Sequence, residues 1–156
     1  MPVTIEVVSV MDAAPITVFD LELDVDVHAD SLSGSGETAT TSSGRSRLRL
    51  GDEVTFSARH LGFRWRMTSR ITEYESPHRF VDEQTRGPFR AMRHEHGFEE
   101  LGDGRTTMTD RMTISAPFGP PGAILTRLLL APYLRRLLTR RAMHIKRLAE
   151  AGDRRE

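Results

Sequence analysis

The chain contains no cysteine, one tryptophan and two tyrosines, and its basic and acidic residues balance at 22 each. Without thiols there is no disulfide, no thiolate metal site and no cysteine nucleophile. A net charge of zero supplies no overall field to attract nucleic acid, so no nucleic-acid partner is expected and any basic patch must be local. The longest apolar run, around Leu128–Pro132, is far shorter than the ~20 residues of a membrane span, so stable membrane insertion is not expected. Met1-Pro2-Val3-Thr4-Ile5-Glu6 has neither a basic nor an apolar leader pattern, and a cytoplasmic location follows as the expectation. What is present, 156 residues with 38% hydrophobic and 28% charged, suits one domain with a genuine core. Residues 1–150 are expected to form that domain, and 151–156 a disordered tail.

Val3–Val10 is rich in β-branched residues and predicts a strand. Asp12-Ala13-Ala14-Pro15 offers a helix start ahead of Ile16, Val18, Phe19 and Leu21. Ser31–Gly44 is Ser/Thr/Gly-rich and predicts a loop with a short strand near Glu37–Thr40. Val54, Phe56, Ala58 and His60 then alternate with polar neighbours, as do Phe63, Trp65, Met67, Ser69 and Ile71 with arginines and threonine. A two-residue turn at Leu61-Gly62 puts His60 opposite Phe63, Ala58 opposite Trp65 and Phe56 opposite Met67, with the apolar members on one face. Further strands are expected over Arg79–Thr85, Phe89–Leu101 and Thr106–Ser115. A three-residue hairpin at Gly102-Asp103-Gly104 sets Met108 opposite Phe98, Asp110 opposite His96 and Met112 opposite His94. Ala123–Ala149 predicts a long helix interrupted at Pro132. Leu134, Leu138, Arg141, Ile145 and Leu148 form its apolar stripe, with Arg135, Arg136, Arg140, Lys146 and Arg147 opposite.

The apolar wall made by these strands carries His60, Asp82, Gln84, His94, His96 and Asp110, and Arg141 interrupts the helix stripe that must cover it. Each polar group removed from water costs roughly 2–7 kcal/mol unless partnered. One account is a structural network in which Asp110 orients His96 and Arg141 neutralises Asp82 or Asp110. A second makes the polar groups anchors for a ligand in an apolar cavity. The candidate binding residues are then His60, Trp65, Met67, Phe80, Asp82, Gln84, Met92, Phe98, Met108, Met112, Leu134, Leu138 and Arg141. A third uses His96, Asp110 and His94 for acid–base catalysis, since a carboxylate fixes the imidazole tautomer and raises its basicity. His94-x-His96 followed by Glu100 imitates cupin metal-ligand spacing, but cupins end in sheet rather than a long helix, so no metal or other cofactor is expected.

Several segments carry a resemblance. They are Leu50-Gly51-Asp52-Glu53-Val54-Thr55-Phe56 with Arg59-His60, Pro77-His78-Arg79-Phe80-Val81-Asp82-Glu83-Gln84, Gly87-Pro88-Phe89, His94-Glu95-His96-Gly97-Phe98, Asp110 and Pro117-Phe118-Gly119. Together with the helix bearing Arg141, the chain resembles the START/Bet v1-like (SRPBCC) superfamily, in its small bacterial polyketide cyclase/dehydrase-like branch. The resemblance implies an α+β helix-grip fold, in which a curved antiparallel sheet wraps a long C-terminal helix around a hydrophobic cavity. It also implies two short helices after the first strand, although a Gly/Ser-rich stretch stands where the second often sits, which predicts a flexible entrance or a missing helix. The leading expectation is a binder of a small hydrophobic or aromatic molecule, lipid or polyketide-like, acting as monomer or homodimer. The rivals are an aromatase/cyclase or dehydratase, and a structural or partner-binding domain whose pocket is too small for a ligand of ~300 Å³.

Overall fold

The computed structural model describes residues 1–32, 34 and 36–153. Its elements run β1 (Val3–Met11), α1 (Pro15–Glu22), α2 (Val25–Ser31), β2 (Thr38–Thr41), β3 (Glu53–His60), β4 (Phe63–Glu75), β5 (Arg79–Arg86), β6 (Ala91–Glu100) and β7 (Thr106–Ser115). The chain then turns helical as α3 (Gly119–Leu125), one π-helical turn (Thr126–Leu130) and α4 (Ala131–Asp153). The strands form one antiparallel sheet in the order β1-β7-β6-β5-β4-β3-β2, and α4 packs against β1, α1 and α2. This is the helix-grip fold.

Both tight hairpins have the expected registers. Leu61 and Gly62 take φ of 55° and 80°, the pair of positive angles that matches a hairpin turn to strand twist. They pair His60 with Phe63 and Ala58 with Trp65. Gly104, at φ 82°, lets β6 meet β7 with His96 opposite Asp110, His94 opposite Met112 and Phe98 opposite Met108. Period-two alternation then buries Met92, His94, His96 and Phe98 on β6 and Met108, Asp110, Met112 and Ile114 on β7. The opposite face carries an ion-pair lattice of Glu73, Arg79, Arg93 and Glu95. Register shifts in β4 between Thr68 and Ser69 and between Ile71 and Glu73 bend that long strand around the helix.

Several expectations change. The second short helix exists, upstream of the Gly/Ser stretch: Asp24 caps α2 by accepting from the amides of Asp26 and Val27, the usual role of an N-cap carboxylate. The C-terminal helical region begins at Gly119 rather than Ala123. Pro132 sits in the first turn of α4, where its missing N–H is tolerated, and the π-helical turn immediately precedes it. Leu148 is 39% exposed, because the buried stripe of α4 drifts onto Ala142, Ile145 and Ala149. Phe63, at the hairpin tip, is 70% exposed and so leaves the face that Trp65 and Met67 share. Residues 151–153 belong to α4, and 154–156 of the expected tail lie outside the described residues. Among the described residues no helix is long and apolar enough to cross a membrane.

Two apolar clusters hold α4 and the short helices to the sheet. One centres on Phe19, whose ring meets Tyr74, Phe80 and Phe98 edge-on at 5.4, 5.7 and 5.5 Å, the favourable arrangement for aromatic quadrupoles. The other joins Ile5, Met92, Met112, Ile114 and Leu138. Between sheet and α4 a cavity remains.

Candidate functional site

The cavity measures about 160 Å³. It is lined by Val54, Phe56 and Ala58 of β3, Met67 and Ile71 of β4, Phe80 of β5, Met92 of β6, Met112 of β7, and Leu134, Leu137 and Leu138 of α4. Ordinary small-molecule sites occupy roughly 300–1,000 Å³, and an apolar cavity of about 150 Å³ admits one benzene ring. The space therefore matches a single ring, and a lipid or polycyclic ligand would have to widen it or extend beyond it.

At its base three strands and two helices bring titratable and charged groups together. Glu22, on the buried stripe Val18–Phe19–Glu22 of α1, receives a hydrogen bond from Arg141 of α4 at 2.7 Å. Sequence reasoning paired Arg141 with Asp82 or Asp110; the partner is Glu22, because α1 lies against α4. His96 stands among three carboxylates. Its Nε2 hydrogen-bonds Asp82 Oδ1 at 2.9 Å, and its Nδ1 lies 2.9 Å from Asp110 Oδ1 and 3.5 Å from Glu22 Oε2. His94 lies beside it, ring centroids 3.8 Å apart, with Nε2 3.3 Å from Asp110 Oδ1 and Nδ1 4.0 Å from Asp82 Oδ1. The Asp110 contacts are close but off the hydrogen-bond line, so His94 Nε2, His96 Nδ1 and both Asp110 oxygens are buried without a hydrogen-bond partner.

Proximity sorts the charges. Burial opposes an imidazolium at His96, yet the carboxylates of Asp110, Asp82 and Glu22 raise its pKa well above the ordinary value. Burial and the neighbouring His96 lower that of His94. Burial would raise Asp82, but His96, His94 and Arg141 pull it down to about 2. Asp110 is likewise lowered despite burial, by His94 and His96. Asp82, His94 and His96 offer donor atoms within 4.8 Å of one another, and so do Glu22, His96 and Asp110; either trio has the composition to hold a cation.

A second imidazole–carboxylate pair occupies the same cavity. His28 of α2 stacks on Phe56 at 4.2 Å and places Nε2 3.1 Å from Glu37 Oε1. Burial raises Glu37 to about 7, with Arg141 and His60 opposing, and burial together with Arg141 lowers His28 well below its usual value. Toward the other end, His60 Nδ1 meets the Tyr133 hydroxyl at 2.9 Å, and Trp65 donates its indole N–H to the His60 carbonyl at 2.8 Å.

Of the residues singled out from sequence, His60, Trp65, Met67, Phe80, Asp82 and Met92 line the cavity, as do His94, Met112, Leu134, Leu138 and Arg141. Five lie elsewhere. His96 and Asp110 stand behind the wall, fully buried. Phe98 and Met108 belong to the Phe19 core. Gln84 bonds both backbone groups of Phe89 and closes the β5–β6 connection. Glu22, His28, Glu37 and Tyr133 were not foreseen. Glu22 carried a signal, a charge on the i, i+1, i+4 apolar stripe of a helix; Glu37 opens the short strand expected within the Ser31–Gly44 loop and carried none.

Solved structures share this architecture. TTHA0849 from Thermus thermophilus superposes with a TM-score of 0.73 at 17% identity, covering 92% of this chain and 97% of that one. The Zhui aromatase/cyclase from Streptomyces sp. R1128 gives 0.72 at 14%, covering 97% and 99%. Major latex-like protein 151 from Panax ginseng gives 0.68 at 9%, covering 95% and 97%. No curated protein matches by sequence. A family profile described as polyketide cyclase / dehydrase and lipid transport matches residues 2–150. With almost its whole length matched and the curved sheet closed on α4, the chain belongs to the polyketide cyclase / dehydrase and lipid transport family.

Proposed function

We propose that the chain binds a small hydrophobic molecule of about one aromatic ring that carries a hydrogen-bond donor such as a phenol hydroxyl. The observation that supports this is an apolar cavity of about 160 Å³ with Asp82 and His94 at its base. A carboxylate held near pKa 2 stays ionised at neutral pH, so it can accept a hydrogen bond but not donate one and selects ligands that bring the proton. Hydrocarbon walls supply the area term at roughly 25 cal/mol per Å².

Trp65, the one tryptophan, lines this cavity and gives the assay. Titration with monocyclic phenols should change its emission with 1:1 stoichiometry, while the matching methyl ethers bind at least tenfold more weakly. Asp82→Asn should remove that preference. Equal affinity for phenol and ether, or no binding across a panel of single-ring compounds, refutes the proposal.

A second reading, acid–base turnover of a carbonyl ligand, is favoured by one observation. Glu37 at about 7 and Asp82 at about 2 face the same cavity, and carboxyls pushed apart in this way supply an acid and a base together. On that reading Glu37→Gln abolishes turnover of a bound carbonyl compound while leaving its affinity within a few-fold; unaltered turnover eliminates the role.

A further inference from the structure

We infer that Asp82, His94 and His96 form a binding site for a first-row divalent transition-metal ion, with Asp110 as the outer carboxylate that orients both imidazoles. Asp82 Oδ1 lies 2.9 Å from His96 Nε2 and 4.0 Å from His94 Nδ1. Ligands held about 2.0–2.2 Å from one ion stand roughly 3–4 Å apart, and the trio offers donor atoms all within 4.8 Å of one another, so modest shifts would bring them around one ion. The remaining ring nitrogens, His96 Nδ1 and His94 Nε2, both face Asp110 Oδ1, at 2.9 and 3.3 Å. Metal-bound histidines almost always turn their second nitrogen to a carboxylate or carbonyl, which fixes the tautomer and raises ligand basicity. Asp110 Oδ1 lies within reach of both rings without yet being aligned on either, and a small rotation on metal binding would bring both N–H groups onto it, leaving the Asp82-facing nitrogens as the lone-pair donors.

Charge and burial point the same way. Glu22, Asp82 and Asp110 carry three carboxylates against one guanidinium, Arg141, so with neutral imidazoles the cluster holds a charge of minus two, which one divalent ion cancels. A proton on His96 cancels only half. His94, His96 and Asp110 are 3%, 1% and 0% exposed, and their unpartnered atoms are the ones that meet around Asp110, behind the three ligand atoms. The competing trio of Glu22, His96 and Asp110 is disfavoured because Arg141 already holds Glu22 Oε2 at 2.7 Å. Asp82 and His94 border the cavity, so further coordination positions open toward it. Two nitrogens and one oxygen without thiolate suit zinc, iron(II) or cobalt(II) better than calcium or magnesium. Sequence spacing gave no such trio, since its third ligand comes from a separate strand.

Metal alone tests this, apart from any cavity ligand. The full chain, untagged and freed of metal with EDTA, is titrated calorimetrically with Zn²⁺ and Co²⁺, the latter followed by its visible ligand-field absorption. One ion per chain is expected. His94→Gln and Asp82→Asn should weaken binding at least 100-fold, and Asp110→Asn about 10- to 100-fold. His78→Gln and His144→Gln should leave it unchanged. X-ray absorption of the zinc-loaded wild type counts imidazoles directly and needs no variant to fold: two support the site, none or one overturns it. Dissociation constants above about 100 µM, or binding that survives both His94→Gln and Asp82→Asn, overturn it as well. Should phenols bind the metal-free chain while no metal does, this inference falls and the cavity reading stands; the reverse result separates them equally well.

Discussion

Arg141→Met is the sharpest test of how the site is held together. Arg141 is 6% exposed and its guanidinium bonds Glu22 Oε2 at 2.7 Å, and Glu22 is itself 3% exposed. Methionine fills most of the volume but leaves a buried carboxylate without its counter-charge, near two more. Removing one member of a buried ion pair destabilises by about 3–5 kcal/mol. At roughly 2–4 °C per kcal/mol for a chain of this size, the melting temperature should fall by about 6–20 °C. The double substitution Glu22→Leu with Arg141→Met removes both charges. It also removes Glu22 Oε1 and Arg141 Nε, which are buried without a hydrogen-bond partner, so most of the stability should return.

The assay is urea unfolding of the four proteins of this cycle at neutral pH, accepted only where the slope with denaturant stays constant. A coupling energy of at least 2 kcal/mol is expected between residues in direct contact. If Arg141→Met costs less than about 1 kcal/mol, or if the double variant is as unstable as the two single losses added together, the buried pair is not what neutralises the cluster and the electrostatic reasoning above fails.

Other consequences are quicker to check. Glu37 goes from 4.5 unfolded to about 7 folded, so the folded state holds the proton more tightly. Its contribution is complete below about pH 4.5 and is lost as pH rises through 7, by up to about 3 kcal/mol at 1.36 kcal/mol per unit. Glu37→Gln should flatten the stability curve between pH 5 and 8; an unchanged slope in urea titrations at several pH values contradicts the burial of that carboxyl. Phe19→Ala removes the ring at the meeting point of Tyr74, Phe80 and Phe98 and should cost about 3–5 kcal/mol, read as a fall in urea midpoint. Gly122→Ala would drive a Cβ into the carbonyl oxygen of Pro117. It should destabilise by about 1–3 kcal/mol, whereas Gly152→Ala, with open space around it, should be neutral or slightly stabilising in thermal unfolding.

The sheet was legible because two local rules agreed. Alternation fixed which side chains share a face, and the turns at Leu61-Gly62 and Gly102–Gly104 fixed the registers, so the row of His94, His96, Asp110 and Asp82 followed without tertiary information. What failed was helical. α2 is seven residues long and rests on an Asp24 cap rather than on periodicity, so it vanished beside the Gly/Ser stretch that follows it. Leu148 was read onto the stripe because one alternation of three- and four-residue steps fits leucines as well as alanines, and only packing chose Ala142 and Ala149. The partner of Arg141 was illegible for a different reason. Glu22 sits 119 residues away, and nothing local says that α1 crosses α4.

These failures bear on function through one physical point. The strands could show that acids and imidazoles face inward, but not that they divide into two layers. Glu37, His28, His60, Asp82 and His94 touch the cavity, whereas His96 and Asp110 are sealed behind it. A group with no access to a cavity ligand cannot exchange a proton with it directly, so toward such a ligand His96 and Asp110 can act only through the charge and orientation of Asp82 and His94. Glu37 is the inward carboxyl whose pKa of about 7 allows it to give up a proton near neutrality. Any chemistry in this cavity should therefore follow Glu37 in its pH profile. Asp110→Asn should shift affinity for phenols or metal without shifting that profile, and a profile that moves with Asp110→Asn but not with Glu37→Gln would reverse the assignment of the two layers.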